Sequence, residues 1–155
     1  MLTALLALSA CETPFLQEVS GQDVPDPGVA PAQTLAAAPP PPPPQTARTV
    51  ADFDTTSASD RAEAVAVLAT AADQALGTTL ATLGSPAEPG IWLKTPLVTR
   101  VQQGKVSYQG RTINIELRPS GGAAGSGSQI SLAAMRLLEA PLTAIVPLSV
   151  TAANG

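Results

Sequence analysis

The stretch that decides the fold is Lys105-Val106-Ser107-Tyr108-Gln109-Gly110-Arg111-Thr112-Ile113-Asn114-Ile115-Glu116-Leu117. Its middle, Gln109-Gly110, is typical of a two-residue turn, because glycine readily adopts the positive φ that a tight hairpin needs. After the turn, Ile113, Ile115 and Leu117 alternate with polar residues, which indicates a strand with one buried face. The sequence therefore predicts an antiparallel hairpin with an apolar side.

Further short strands are expected on both sides of this hairpin. Residues 91–93 and 97–98 are apolar and are separated by Pro96. Near the C-terminus, residues 142–151 predict one or two strands, with a break at Pro147. Repeated short strands of this kind indicate a mainly-β domain.

Between the hairpin and the last strand we expect a loop and a helix. Residues 120–128 contain only glycine, serine and alanine, which favours a loop. Residues 130–139 then predict a helix, with Ser128 or Ser131 as its N-cap and Pro141 ending it.

An alanine-rich segment precedes the β-domain. Asp60 and Glu63 have the spacing of a capping box, and Gly77 is a natural stop after a helix. We therefore expect a helix over 57–77 and a small β-barrel-like domain over 78–155. A domain of that size buries only about 60% of its unfolded surface, which is small but feasible.

Residues 11–56 are dominated by proline, alanine and small polar residues, including the six consecutive prolines of 39–44. No apolar periodicity persists there for more than a few residues. This composition predicts a disordered linker with a stiff polyproline II segment, which would act as a spacer.

The chain begins Met-Leu-Thr-Ala-Leu-Leu-Ala-Leu-Ser-Ala-Cys. The apolar run is too short to span a bilayer, and small residues follow it, so 1–10 are predicted to be a secretory signal peptide. No basic residue precedes the run, which suggests a true start upstream. The alternative is a frayed core helix in which Cys11 is a small buried hydrophobe.

The segment Leu8-Ser9-Ala10-Cys11 resembles the lipobox of bacterial lipoproteins. The resemblance implies that Cys11 is acylated and becomes the mature N-terminus. It also implies a lipid-anchored protein of the cell envelope, on the inner or outer membrane and facing the periplasm. Several acyl chains on one residue would give stable anchoring.

Composition excludes several classes of function. There is one Cys and no His, so an intrachain disulfide, a Cys/His zinc site and a histidine-based catalytic triad are excluded. Twelve acidic residues outnumber eight basic ones, which argues against a nucleic-acid partner. We expect no metal site and no cofactor.

Two segments carry a resemblance to a known family. The strand 113–119, the Gly-rich loop and the segment Gln129-Ile130-Ser131-Leu132-Ala133-Ala134 are similar to the motifs of the rare lipoprotein A family. Members of that family are envelope lipoproteins with a double-psi β-barrel, and well-studied members are lytic transglycosylases of peptidoglycan. The resemblance implies a small double-psi-like β-barrel. With the alanine-rich helix and the disordered proline-rich tether predicted above, we expect an α+β fold that is mainly β with short helices.

The two acidic positions of that family are changed in this chain. Leu117 and Gln129 stand where the motifs have acids, and cleavage of a glycosidic bond needs a carboxyl group. Glu116 lies one residue from the first position, and in a strand that shift places it on the opposite face. We therefore expect no catalytic residues and no enzymatic activity. The alternative is a divergent lytic transglycosylase that uses Glu116.

Residues 76–79, 90–98 and 127–138 also resemble a group of short bacterial lipoproteins of unknown role, some of which are labelled D-galactarate dehydratase. The residues disfavour that label. A metal-assisted dehydration needs several ligands and a base, whereas residues 77–155 contain three Glu and no Asp, His or Cys.

Three residues are candidates for ligand binding. Trp92 with Lys94 would offer a carbohydrate an aromatic face and a hydrogen-bond donor, and the alternative is a Trp in the core. Arg118 would bind a carboxylate or phosphate, and the alternative is a solvated arginine at a strand end. Ser131 is explained by helix capping.

The expected function is a non-catalytic binding or structural module of the envelope. Peptidoglycan or an envelope protein is the expected partner, besides the membrane that holds the lipid anchor. A further alternative is an accessory subunit of an outer-membrane assembly.

Overall fold

Six strands close into a barrel in the computed structural model, which describes residues 39–66 and 73–153. The strands are β1 (Gln74–Leu83), β2 (Trp92–Thr95), β3 (Gln102–Tyr108), β4 (Arg111–Pro119), β5 (Ser128–Ile130) and β6 (Val146–Ala152). Around the barrel their order is β1-β5-β2-β4-β3-β6. The pairs β1–β5 and β2–β4 are parallel, and the others are antiparallel. The expectation of a small, mainly-β barrel is confirmed.

The predicted hairpin is formed by β3 and β4. Gln109 and Gly110 make the turn with φ of 46° and 84°, the left-handed values that a two-residue hairpin turn requires. On β4, the alternating residues Ile113, Ile115 and Leu117 are at most 2% exposed. Local turn chemistry and period-2 patterning therefore specify this part of the barrel.

The core fills the barrel interior and is closed by a short helix, α3 (Leu132–Leu137). Ser131 is the N-cap of α3, as expected, and its hydroxyl accepts a hydrogen bond from the Ala134 amide. The largest fully buried aliphatic and thioether side chains of this core are Leu93, Val106, Ile113, Ile115, Leu117, Ile130, Met135, Leu138, Val146, Leu148 and Val150.

The prediction of one helix over 57–77 is wrong in its C-terminal part. The helix α2 covers Ala58–Val65, and Gln74–Leu83 forms the barrel strand β1. Gly77 does not follow a helix: it lies at an irregularity in the β1–β6 pairing, with a φ of 123° that residues with side chains rarely adopt. Pairing with β6 overrides the weak helix preference of this alanine-containing segment.

Smaller differences occur near the loop and at the ends of elements. Residues 97–98 lie in and after a turn and not in a strand. The predicted helix over 130–139 is shorter, because Ile130 ends β5 and pairs with Leu93 and Leu83. Residues 146–152 form a single strand, in which Pro147 lies on the exposed face.

The end of the predicted linker is part of the folded unit. A short helix, α1 (Val50–Phe53), begins at the N-cap Thr49, inside the segment 11–56 that the composition assigns to a linker. The Thr55 hydroxyl donates a hydrogen bond to the Pro41 carbonyl at 2.6 Å. All described residues belong to one compact unit. The predicted signal peptide over 1–10, Cys11 and the predicted linker up to residue 38 lie outside the described residues.

The segment 49–66, called here the N-terminal strap, is tied to the barrel by polar contacts. The Asp54 carboxylate, with only 2% of its side chain exposed, pairs with Arg61 at 3.1 Å and with Arg136 of α3 at 2.6 Å. The Asn114 amide of β4 donates to the carbonyls of Glu63 and Ala66 at 3.1 and 3.0 Å, which satisfies the C-terminal end of α2.

Candidate functional site

The barrel brings the three predicted ligand-binding residues together on its outer face. Parallel pairing of β2 with β4 places Lys94 beside Arg118, and antiparallel pairing with β5 places Lys94 beside Gln129. Since Leu93 lies in the core, its neighbour Lys94 points outward. Lys94 is therefore the middle residue of a row across β4, β2 and β5. This row, called here the polar row, consists of Arg118, Lys94 and Gln129.

The carboxylate of Glu88 bridges the two cations of this row. Its Oε2 lies 2.6 Å from Lys94 Nζ, and its Oε1 lies 2.8 Å from Arg118 Nη1. Arg118 Nε also donates to Glu116. About a third of each of these four side chains is exposed. Lys94 and Arg118, called here the cation pair, thus hold a carboxylate at the surface of the barrel.

Trp92 lies beneath the cation pair and is not an exposed platform. Its side chain is 0% exposed, although it is outside the central core cluster. Lys94 Nζ lies 4.8 Å and Arg118 Cζ 5.5 Å from the ring centroid, within the range of a cation–π interaction. The indole N–H donates to the Glu88 carbonyl at 3.3 Å. Trp92 therefore supports the two cations from below.

The loop 84–90 completes the cover over Trp92. Gly84 packs against the indole so closely that an added Cβ would lie 2.5 Å from Trp92 Cη2, so only glycine fits there. Gly90, at the other end of the loop, has a φ of 98°. The Glu88 amide donates to the Ser85 carbonyl at 3.1 Å, which makes the intervening turn.

An open cleft of about 480 Å³ begins at Lys94. It is lined by Pro119 together with Lys94, Ser120, Gly122, Ser126, Gly127 and Gln129. Hydroxyl, amide and ammonium groups of this kind donate hydrogen bonds to sugar hydroxyls and to anions. None of the lining residues carries a carboxyl group.

The positions that carry acids in the rare lipoprotein A motifs are separated by the barrel wall. Leu117 is 0% exposed in the core, whereas Gln129 is exposed and lines the cleft. Glu116 points to the face opposite Leu117, as predicted, and pairs with Arg118. The side chain that lines the cleft at position 129 is thus an amide and not a carboxyl group.

A second cleft, of about 430 Å³, lies between α2 and the barrel and was not predicted from the sequence. Its lining includes the acidic residues Asp60, Glu63 and Glu116 and the basic residue Lys105. Lys105 Nζ lies 2.6 Å from Asp73 Oδ2, and 8% of the Lys105 side chain is exposed.

Glu88 and Asp54 are the charged residues that sequence reasoning missed. Burial alone would raise the pKa of Asp54, but hydrogen bonds from Thr56 and the charge of Arg61 outweigh it and hold that pKa below its usual value. No local pattern marks either residue, because each takes its role from elements distant in sequence.

Neither a metal centre nor a membrane span is found in the described residues. Within 39–66 and 73–153, no three His, Cys, Asp or Glu side chains are grouped so that they could hold a metal ion. Every helix in those ranges is too short or too polar to traverse a bilayer.

Comparisons with protein-family models, with curated proteins and with solved structures found no match for this chain.

Proposed function

We propose that this chain is a cell-envelope lipoprotein, anchored through acylated Cys11, whose barrel is a non-catalytic binding module for peptidoglycan. The anchor rests on Leu8-Ser9-Ala10-Cys11 and the apolar run before it. A secreted protein with a single Cys is consistent with acylation, since acylation leaves no free thiol. In this proposal the barrel faces the periplasm on its tether.

The observation that carries the binding role is the cleft that begins at Lys94. Its serine hydroxyls, glycine backbone and the Gln129 amide suit a polymer rich in hydroxyl groups, and Lys94 suits the acidic groups that such a polymer carries. Arg118 lies beside Lys94 in the same polar row. The site thus combines hydrogen-bond donors and positive charge over a short distance.

The absence of a carboxyl group from the lining of this cleft supports a non-catalytic role. Protonation of a glycosidic oxygen requires a positioned carboxylic acid. The amide of Gln129 cannot supply that proton, and Leu117 is enclosed in the core. Glu116 is engaged by Arg118 and lines the second cleft, apart from Gln129.

The finer fold assignment is part of the same proposal. We propose that the barrel is of the double-psi type found in the rare lipoprotein A family. Two features are consistent with it: the closed six-stranded barrel and the parallel pairs β1–β5 and β2–β4, which are non-consecutive strands and so need crossover connections.

Co-sedimentation of the full chain with purified peptidoglycan sacculi tests the binding role. We expect the wild-type chain to pellet with sacculi. Lys94→Gln and Arg118→Gln each remove a charged donor and should weaken binding by about ten- to a hundredfold. Arg111→Gln is the matched control, because Arg111 pairs with Glu139 at 2.7 Å outside the polar row.

Two results would contradict this proposal. One is a wild-type chain that stays in the supernatant at every sacculus concentration. The other is release of anhydro-muropeptides that stops in Glu116→Gln, which would favour a divergent lytic transglycosylase.

A further inference from the structure

The loop 84–90 is held down by polar contacts. None of residues 85–90 is buried, so the loop contributes no side chain to the core. Its side-chain anchors are the Glu88 carboxylate on the cation pair and the Trp92 indole on the Glu88 carbonyl. Segments with few buried apolar contacts open at low free-energy cost.

Gly90 gives the C-terminal end of this loop backbone freedom, whereas Gly84 fixes its N-terminal end. Gly84 is held against Trp92, and its amide donates to the Ile130 carbonyl at 2.8 Å. Gly90 has a positive φ and lies at the start of the chain leading into β2. Hinges of lids are a few residues at element ends that absorb changes in φ and ψ.

The cation pair is shaped for a carboxylate, because it already holds one. Both oxygens of Glu88 are used, one by Lys94 and one by Arg118, at 2.6 and 2.8 Å. The same Lys94 borders the cleft that begins beside it. Lys94 therefore lies between the Glu88 carboxylate and the cleft, so a ligand in the cleft is next to one of the two groups that hold Glu88.

We propose that the Glu88 carboxylate competes with the carboxylate of an acidic sugar for the cation pair. In the free chain the Glu88 carboxylate occupies the cation pair. A ligand carboxylate displaces it, and residues 85–90 then move away from Trp92 while the sugar ring enters the cleft. This inference rests on the proposed function and deepens it, since it selects sugars with a carboxylate over neutral ones.

The ligand class follows from the geometry of the exchange. The displaced group is a carboxylate, so the incoming group must satisfy the same two donors. The neutral part of the ligand faces the hydroxyls of Ser120 and Ser126 and the Gln129 amide. A sugar acid with free hydroxyl groups meets both requirements, and its neutral parent sugar meets only the second.

Trp92 provides the readout, because it is the only tryptophan of the chain. The experiment measures acrylamide quenching of its fluorescence in the full chain, with N-acetylmuramic acid as probe and N-acetylglucosamine as the neutral control. We expect the acid to increase quenching in the wild-type chain and the neutral sugar to leave it unchanged. Equal effects of the two sugars would overturn the inference.

Three variants distinguish displacement of Glu88 from a general effect of removing a negative charge. Glu88→Gln should increase quenching without ligand and tighten binding of N-acetylmuramic acid about fivefold, since it removes a competing ion pair. Glu116→Gln removes the same charge but leaves the Glu88 bridge, so Trp92 should stay protected. Glu139→Gln, at an exposed ion pair elsewhere, should match the wild type.

Failure of the inference and failure of the proposed function give different results. If the wild-type chain pellets with sacculi but Glu88→Gln changes neither quenching nor affinity, the inference is wrong and the proposed function stands. If N-acetylmuramic acid binds as expected but sacculi do not, peptidoglycan is wrong as the ligand and the exchange at Glu88 stands.

Discussion

Replacing Asp54 tests whether the N-terminal strap belongs to the folded unit. Asp54→Asn keeps an oxygen that can accept from the Thr56 amide but removes the charge that pairs with Arg61 and Arg136. Both arginine side chains are about 40% exposed and can be hydrated instead, so each pair contributes about 0.5–1 kcal/mol. Together the two pairs stabilise the strap by about 1–2 kcal/mol.

Limited trypsin digestion measures this effect, because Arg61 lies inside α2. A loss of about 1–2 kcal/mol increases the open population about 5- to 30-fold, and cleavage after Arg61 should accelerate by that factor when opening is fast. Cleavage after Arg48, which precedes the strap, should not change. Glu139→Gln serves as the control for loss of an exposed ion pair. Equal rates after Arg61 in Asp54→Asn and the wild type would refute the reasoning.

Three other perturbations have defined outcomes. Gly104→Ala should lower the free energy of unfolding in urea by about 1–3 kcal/mol or prevent folding, because the added Cβ would lie 2.5 Å from the Thr151 carbonyl oxygen; unchanged stability would contradict the barrel packing. Ser131→Ala should cost about 1–3 kcal/mol in the same assay, because it removes the cap of α3 and the acceptor of the Trp92 amide at 3.1 Å, whereas Ser131→Thr should cost less. The stability difference between the wild type and Asp54→Asn should be constant above about pH 5 and shrink below about pH 4. The pKa of Asp54 is lowered on folding, so its contribution to stability disappears as the pH falls through the pKa of the folded state. A stability difference that grows in acid would contradict this sign.

The hairpin could be predicted because its signals are local. The turn at Gln109-Gly110 and the alternation of β4 each lie within a few residues of one another, and both agree with the final packing. The cap at Ser131 is local in the same sense. Segments with such local signals adopt, in the folded chain, the structure that their own sequence favours.

The boundary between helix and barrel could not be predicted, because it is decided by distant partners. Gln74–Leu83 pairs with a strand about 70 residues away. Because of that pairing, Gly77 lies at an irregularity within a strand and does not end a helix. The strand Ser128–Ile130 has only three residues and is defined by its neighbours β1 and β2. A strand of three residues is too short to show a pattern of its own.

The sequence singled out the two cations and Glu116 of the candidate site, but not Glu88. Trp92, Lys94 and Arg118 stand out by residue type, and the β2–β4 pairing brings them together. Glu88 has no distinguishing local context, and it reaches the same place only because the loop 84–90 folds back over Trp92. The same fold of the loop buries Trp92, which agrees with the interpretation of Trp92 as a core residue and not with an exposed platform.

The central claim is that the barrel works outside the cytoplasm on a lipid anchor, and intact mass spectrometry of the full-length gene product from a bacterial membrane fraction tests it most directly. The account predicts a mature chain that begins at Cys11 and carries the added mass of acyl chains, with residues 1–10 removed. Recovery of soluble protein that retains Met1 and an unmodified Cys11 thiol would contradict it.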